Sequence, residues 1–116
     1  MKLSKGKPSQ PRKKVVILGS TGSIGENVLR VVERFPDRFQ IIGLAAQRRA
    51  ERLFQQARQF KIKHVAIAEP DTAQRYKKLA PAGVSVLQGK EGLEELASLE
   101  ADIVVAAVVG MAGLKP

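Results

Sequence analysis

Apolar runs and amphipathic segments take turns along most of this chain, and that alternation constrains its fold more than any other feature. VVILG at 15–19, FQIIGLAA at 39–46, HVAIAE at 64–69, VSVLQ at 84–88 and DIVVAAVV at 102–109 are short and rich in β-branched residues. Such runs read as strands buried on both faces. Between the first two, Ile24, Val28, Val31, Val32 and Phe35 recur at helical spacing, and Pro36 with Asp37 ends the segment. Leu53, Phe54, Ala57 and Phe60 mark a second helix over about residues 49–60. Pro70 and Asp71 open a short third helix ending near Leu79, and Leu93, Leu96 and Ala97 face inward from a fourth at about 90–99. A strand followed by a helix cannot return as a hairpin, so the strands run parallel and the helices cover both faces of one sheet. The expected architecture is a doubly wound, Rossmann-like α/β fold of five strands and four helices.

A chain of 116 residues can bury one core, and its 44% hydrophobic and 27% charged residues are ordinary for a globular protein. The net charge of +9 looks like a nucleic-acid signal until it is divided along the chain. Residues 1–14 hold six lysines and arginines and no acid, whereas the remainder carries 14 basic against 11 acidic side chains. The expectation is a disordered basic arm over 1–14, with nucleic acid not expected as a partner, and a folded domain over 15–116. Zero cysteines exclude disulfides, cysteine zinc sites and thiolate nucleophiles. No run approaches the length of a membrane span or a secretory signal, so a soluble cytoplasmic protein with no membrane partner is expected. GMAGLKP at 110–116 stops at a proline where the next helix is due, so the alternation reads as interrupted and the domain as incomplete.

The first apolar run leads into GSTGSIG at 19–25, between a strand and a helix. In that position glycines let the chain turn sharply and let a pyrophosphate approach the unpaired N–H groups of the helix N-terminus. Gly19, Gly22 and Gly25 form G-x-x-G-x-x-G rather than G-x-G-x-x-G, while Ser20, Thr21 and Ser23 add hydroxyls. Glu26 follows the last glycine where a phosphate-binding lysine would stand in a triphosphate loop, which argues against that class. A turn serving only helix-on-strand packing is the alternative. About twenty residues on, an NAD site places an acid on the ribose 2′-hydroxyl. This chain instead has Gln47, Arg48 and Arg49. Guanidinium forks match a 2′-phosphate, so the expected ligand is NADPH, unless the arginines merely open a solvated helix.

VVILGSTGSIGENVLRVVERFPDRFQIIGLAA at 15–46 resembles the amino terminus of the 1-deoxy-D-xylulose 5-phosphate reductoisomerase family, and ADIVVAAVVGMAGLKP is similar to the family's fifth strand and the turn beyond it. The resemblance implies reductive rearrangement of 1-deoxy-D-xylulose 5-phosphate to 2-C-methyl-D-erythritol 4-phosphate in non-mevalonate isoprenoid synthesis. NADPH and a divalent metal, magnesium or manganese, serve that reaction. It further implies that Thr21, Gly22, Ser23 and Ile24 hold the pyrophosphate, that Gln47, Arg48 and Arg49 surround the 2′-phosphate, and that Ala107 to Gly110 run beneath the nicotinamide half. The family commonly shows Gly, then Lys or Arg, then Asn at 47–49, so Gln47 and Arg49 depart from it. The metal ligands and sugar-phosphate site of the family lie beyond Pro116; no catalytic or metal residue is assigned here. The chain alone is expected to be inactive and the full-length enzyme to be a homodimer.

Other chemistry-bearing residues read as structural. Glu94 and Glu95 point about 100° apart on a helix and suit a solvated surface. His64 is the single histidine, at a strand start, and Met111 fits packing. Two further readings stay open at this point: a non-catalytic dinucleotide sensor or scaffold whose basic arm contacts nucleic acid, and the NADP domain of another reductase.

Overall fold

The computed structural model describes residues 12–107. Strand β1 (Lys13–Leu18) leads to α1 (Ser23–Arg34), β2 (Phe39–Ala46), α2 (Ala50–Phe60), β3 (His64–Ile67) and α3 (Pro70–Tyr76). A 3₁₀ turn (Lys77–Leu79), β4 (Ser85–Gln88), α4 (Gly89–Ala97) and β5 (Ile103–Ala106) follow. All strand pairs are parallel and the sheet order is β4-β3-β2-β1-β5. The strand order therefore reverses at β1: its neighbours are the second strand of the chain and the last described one. In open α/β sheets ligands bind outside the carboxyl ends of the strands at such a reversal.

Alternate strand residues feed two cores. Ile17, Leu44 and Val65 join the cluster shared with Leu29 of α1 and Leu53 of α2, while Val16, Ala45 and Ala66 pack with Leu96 of α4. Three helices thus cover one face and α4 the other. Small residues on the α4 side let that helix come close: a Cβ on Gly43 would lie 2.8 Å from Leu96 Cδ1. A register shift between Val15 and Val16 accommodates the longer β2 against β1.

Two sequence expectations need correction. Strand β1 begins at Lys13, so the last two residues assigned to the basic arm pair with Phe39 and Gln40; residues 1–11 lie outside the described part. On α1, Gly25, Leu29 and Val32 are buried and Val28 packs half-buried against the core, so Val28 and Val32 of the expected stripe face inward while Ile24, Val31 and Phe35 do not. Those three are 49%, 53% and 43% exposed. The apolar arc of α1 is wider than the sheet beneath it, and its outer part overhangs β5, the strand at the sheet edge, where Ile103 is 37% exposed. The fifth strand ends at Ala106, and residues 108–109 of the 102–109 run, together with Met111, fall outside the described residues. None of the described helices is long and apolar enough to cross a membrane. Glu94, Glu95 and His64 lie on the surface.

Candidate functional site

The loop between β1 and α1 sits at the reversal of strand order, and its three glycines serve different ends. Gly19 has φ 91°, a backbone that side-chain-bearing residues rarely adopt. Gly25 is pressed onto the turn: a Cβ there would overlap the Gly19 carbonyl oxygen and lie 2.6 Å from Ser20 Cα. Gly22 is under no such pressure, since a Cβ would meet only the Gly19 oxygen, at 3.7 Å. Its φ of −83° and ψ of 173° suit any residue. Gly19 and Gly25 form and pack the turn; Gly22 keeps a clear approach from outside.

Backbone donors divide the same way. The N–H groups of Gly19 and Ser20 both donate to the Ala45 carbonyl, at 2.8 and 2.9 Å, hooking the loop to β2. Helix α1 starts pairing at Glu26, whose N–H donates to the Gly22 carbonyl at 2.8 Å. Ser23, Ile24 and Gly25 precede that first turn, so helix geometry leaves their N–H groups without an intrahelical acceptor. Gly22 and Ser23 are exposed and no side chain caps this end. Unpaired N–H groups with the positive end of the helix dipole behind them form an anion-binding end.

Ser20 departs from its expected role. The residue is wholly buried, and its hydroxyl donates to Gln56 Oε1 at 2.7 Å while Gln56 Nε2 donates back to the Ser20 carbonyl at 2.9 Å. Its side chain is committed to the interior, so it is not a phosphate donor. Thr21 is 6% exposed, and its carbonyl accepts a 2.8 Å hydrogen bond from Arg49 Nη1. That bond joins two features 28 residues apart in the chain: the glycine loop and the arginine pair after β2.

Gln47, Arg48 and Arg49 are exposed beyond the carboxyl end of β2. Arg48 Nε lies 3.4 Å from Glu69 Oε2, an exposed ion pair with the acid supplied by the turn after β3. Sequence reasoning found no acid at the end of β2, and the nearest carboxylate comes from the next strand instead. The Ala107 N–H donates to the Leu18 carbonyl at 2.8 Å, which sets the end of β5 beside the start of the loop; residues 108–110 lie outside the described part.

A second tie was invisible in the sequence. Arg52 of α2 grips Glu26 of α1 through both carboxylate oxygens, at 2.7 and 2.8 Å. Hydrogen bonding to Arg52 holds the Glu26 carboxyl below its ordinary range, opposed by burial and assisted by the Arg52 charge, the Gln56 amide and Arg30. The guanidinium cancels the one negative charge in the first turn of α1, which would otherwise weaken an anion site. Arg49, Arg52 and Gln56 follow one another at near-helical steps, the only hint the sequence held of a polar edge on α2 directed at the loop.

Among the described residues no group of three or more His, Asp or Glu side chains gathers as a metal site would require.

The model of the 1-deoxy-D-xylulose 5-phosphate reductoisomerase family matches residues 15–116. The protein of that name from Thermoanaerobacter sp. strain X514 is 45% identical over 104 residues, which are 90% of this chain and 27% of the relative. Among solved structures, the reductoisomerase from Zymomonas mobilis in complex with NADPH superposes with a TM-score of 0.78 at 39% identity, over 87% of this chain and 27% of that one. A DOX-P reductoisomerase complex with NADPH, fosmidomycin and magnesium gives a TM-score of 0.75 at 34% identity, over 88% and 26%. The chain thus spans about a quarter of the length of the relatives it matches.

Proposed function

The chain belongs to the 1-deoxy-D-xylulose 5-phosphate reductoisomerase family, and from that premise we propose that residues 15–116 are the NADPH-binding part of such an enzyme. The observation that carries the reading is the 2.8 Å bond from Arg49 to the Thr21 carbonyl. It brings the arginine pair to the flank of the open helix end, so one extended ligand can reach both. A pyrophosphate at the N–H groups of Ser23 and Ile24, with the open side of Gly22 against it, leaves Arg48 and Arg49 beside the adenosine ribose. Gln47 is exposed at the same end of β2, its carbonyl accepting from the Glu69 N–H at 3.0 Å. Gly19 and Gly25 shape the loop from within.

The arginine pair favours a 2′-phosphate because a guanidinium offers paired N–H donors to phosphate oxygens, whereas a ribose hydroxyl calls for an acid. Bound NADPH supplies the hydride for the reduction. The residues of this chain bind and orient it; the end of β5 by Ala107 is where the nicotinamide half would run. In the full-length protein the proposed reaction is conversion of 1-deoxy-D-xylulose 5-phosphate to 2-C-methyl-D-erythritol 4-phosphate with a divalent metal, in a cytoplasmic homodimer. The metal and sugar-phosphate groups belong to the portion of the family's length not spanned here. Because a hydride donor works only when set against its acceptor, this chain alone is expected to bind nucleotide without turnover.

Titration of NADPH and NADH against the chain tests the reading. NADPH should bind at least about tenfold more tightly, a difference of about 1.4 kcal/mol. Equal affinities would remove the 2′-phosphate assignment, and no binding of either nucleotide would remove the site.

A further inference from the structure

We propose that Gln56 of α2 is a positioning residue for the cofactor loop, setting the height of the β1–α1 turn through Ser20. The inference rests on the NADPH-binding reading above. Gln56 is 0% exposed on a helix face that otherwise buries Leu53 and Ala57. A polar side chain in such surroundings is tolerated only when its amide is satisfied. Here both ends of the amide go to one residue: the oxygen accepts from Ser20 Oγ at 2.7 Å and the nitrogen donates to the Ser20 carbonyl at 2.9 Å.

The pair acts at the buried root of the loop, from which the exposed Gly22 and Ser23 depart. Gly19 and Ser20 are fixed to β2 from one side by their N–H groups, and Gln56 takes the remaining polar atoms of Ser20 from the other. With N–H, carbonyl and hydroxyl all engaged, Ser20 can neither rotate nor rise, and Thr21, Gly22 and Ser23 must leave it in one direction. The donors of the helix end are thereby aimed before any ligand arrives. Such preorganisation improves affinity by reducing the ordering that binding itself would require. Gln56 touches no ligand; it acts on the loop through Ser20, and its amide also favours the charged Glu26 carboxylate at the start of α1. Its effect should therefore fall on the pyrophosphate, which NADPH and NADH share, and not on the 2′-phosphate, which distinguishes them.

The test uses the full chain with Gln56→Met, which keeps the length and removes both hydrogen bonds, and Ser20→Ala, which removes only the bond donated by the hydroxyl. Binding of NADPH and NADH is measured calorimetrically at a temperature where circular dichroism shows each variant folded. Gln56→Met should weaken both nucleotides by the same factor, about tenfold, leaving their ratio as in the wild type. Ser20→Ala should weaken both equally and by less, about threefold. If Gln56→Met does not fold, Ser20→Ala carries the test alone. A merely structural glutamine would lower the melting temperature without moving either affinity in the folded protein, and that result overturns the proposal while leaving the cofactor reading intact. Selective loss of NADPH would overturn it too, by moving the effect to the 2′-phosphate. A wild-type chain that binds neither nucleotide removes the cofactor reading and this inference with it.

Discussion

Replacing Gly25 by alanine would press a methyl group against the Gly19 carbonyl oxygen and leave it 2.6 Å from Ser20 Cα and 2.9 Å from the Gly19 carbonyl carbon. Carbon atoms rest at about 3.5–4.0 Å, so the loop and the first turn of α1 would have to part by roughly 1 Å. None of the opposing atoms belongs to a side chain that could rotate away. Overpacking of this kind costs about 1–3 kcal/mol, and a contact made wholly with backbone belongs at the upper end. Against it stands the better helix propensity of alanine, about 1 kcal/mol. The net loss is about 2 kcal/mol, which for a domain of this size lowers the melting temperature by about 8–16 °C. Gly22→Ala is the internal control. Its Cβ has a neighbour only at 3.7 Å and its backbone is already extended, so stability should stay within about 0.5 kcal/mol of the wild type. Nucleotide affinity should nevertheless fall in Gly22→Ala, because the methyl stands on the side left open for the pyrophosphate. Calorimetric melting with NADPH titration of both variants reads the outcome. A Gly25→Ala protein melting within about 2 °C of the wild type would refute the packing argument, and Gly22→Ala binding NADPH undiminished would refute the division of labour among the glycines.

Arg48→Ala should weaken NADPH by about tenfold and leave NADH nearly unchanged, read by the same titrations; a parallel loss of both would displace Arg48 from the 2′-phosphate. Glu26→Gln should destabilise the chain by about 1 kcal/mol at neutral pH, checked by urea unfolding at two pH values. Because Arg52 depresses the folded Glu26 carboxyl, the unfolded state binds more protons between the two values, so the contribution is full above the ordinary glutamate range and vanishes as the pH falls through the lower folded value. The gap between wild type and variant should close in acid, and a constant gap would show that the ion pair is not its source. Leu96→Ala should cost about 2–4 kcal/mol by leaving a cavity under α4. Gly43→Ala, which collides with Leu96 Cδ1 at 2.8 Å, should be less damaging in that background than alone, and additive urea midpoints would contradict the contact.

The central strands were legible because a parallel sheet covered on both faces demands unbroken apolar runs, and VVIL and FQIIGLAA are such runs; DIVV has the same composition although β5 lies exposed at the sheet edge. The loop was legible as a tight strand-to-helix turn because glycines at that junction meet the positive φ of Gly19 and the close packing of Gly25. What escaped was the partnership of residues far apart in sequence. Ser20 read as a donor among donors, since nothing in GSTGSIG says that one hydroxyl faces Gln56 from the next helix. Arg52 and Gln56 read as ordinary polar residues on α2, yet each has its partner on the loop or on α1. The stripe on α1 was misplaced for a related reason: Ile24, Val31 and Phe35 are as apolar as Leu29 and Val32, and only the position of the sheet edge decides which of them it covers.

The pairing of Arg48 with Glu69 bears on how the site would respond to ionic strength. An arginine standing free at the surface meets an incoming phosphate through an attraction that salt screens, so affinity falls as ionic strength rises. Here the neighbouring anion is a carboxylate fixed to the protein 3.4 Å away. A 2′-phosphate arriving at Arg48 would exchange one attached acid for another and release little from the solvent. Salt that screens the phosphate also loosens the competing carboxylate, since both lie at the surface. The proposed preference for the phosphorylated nucleotide should thus change less with electrolyte than it would with an unaccompanied guanidinium at Arg48.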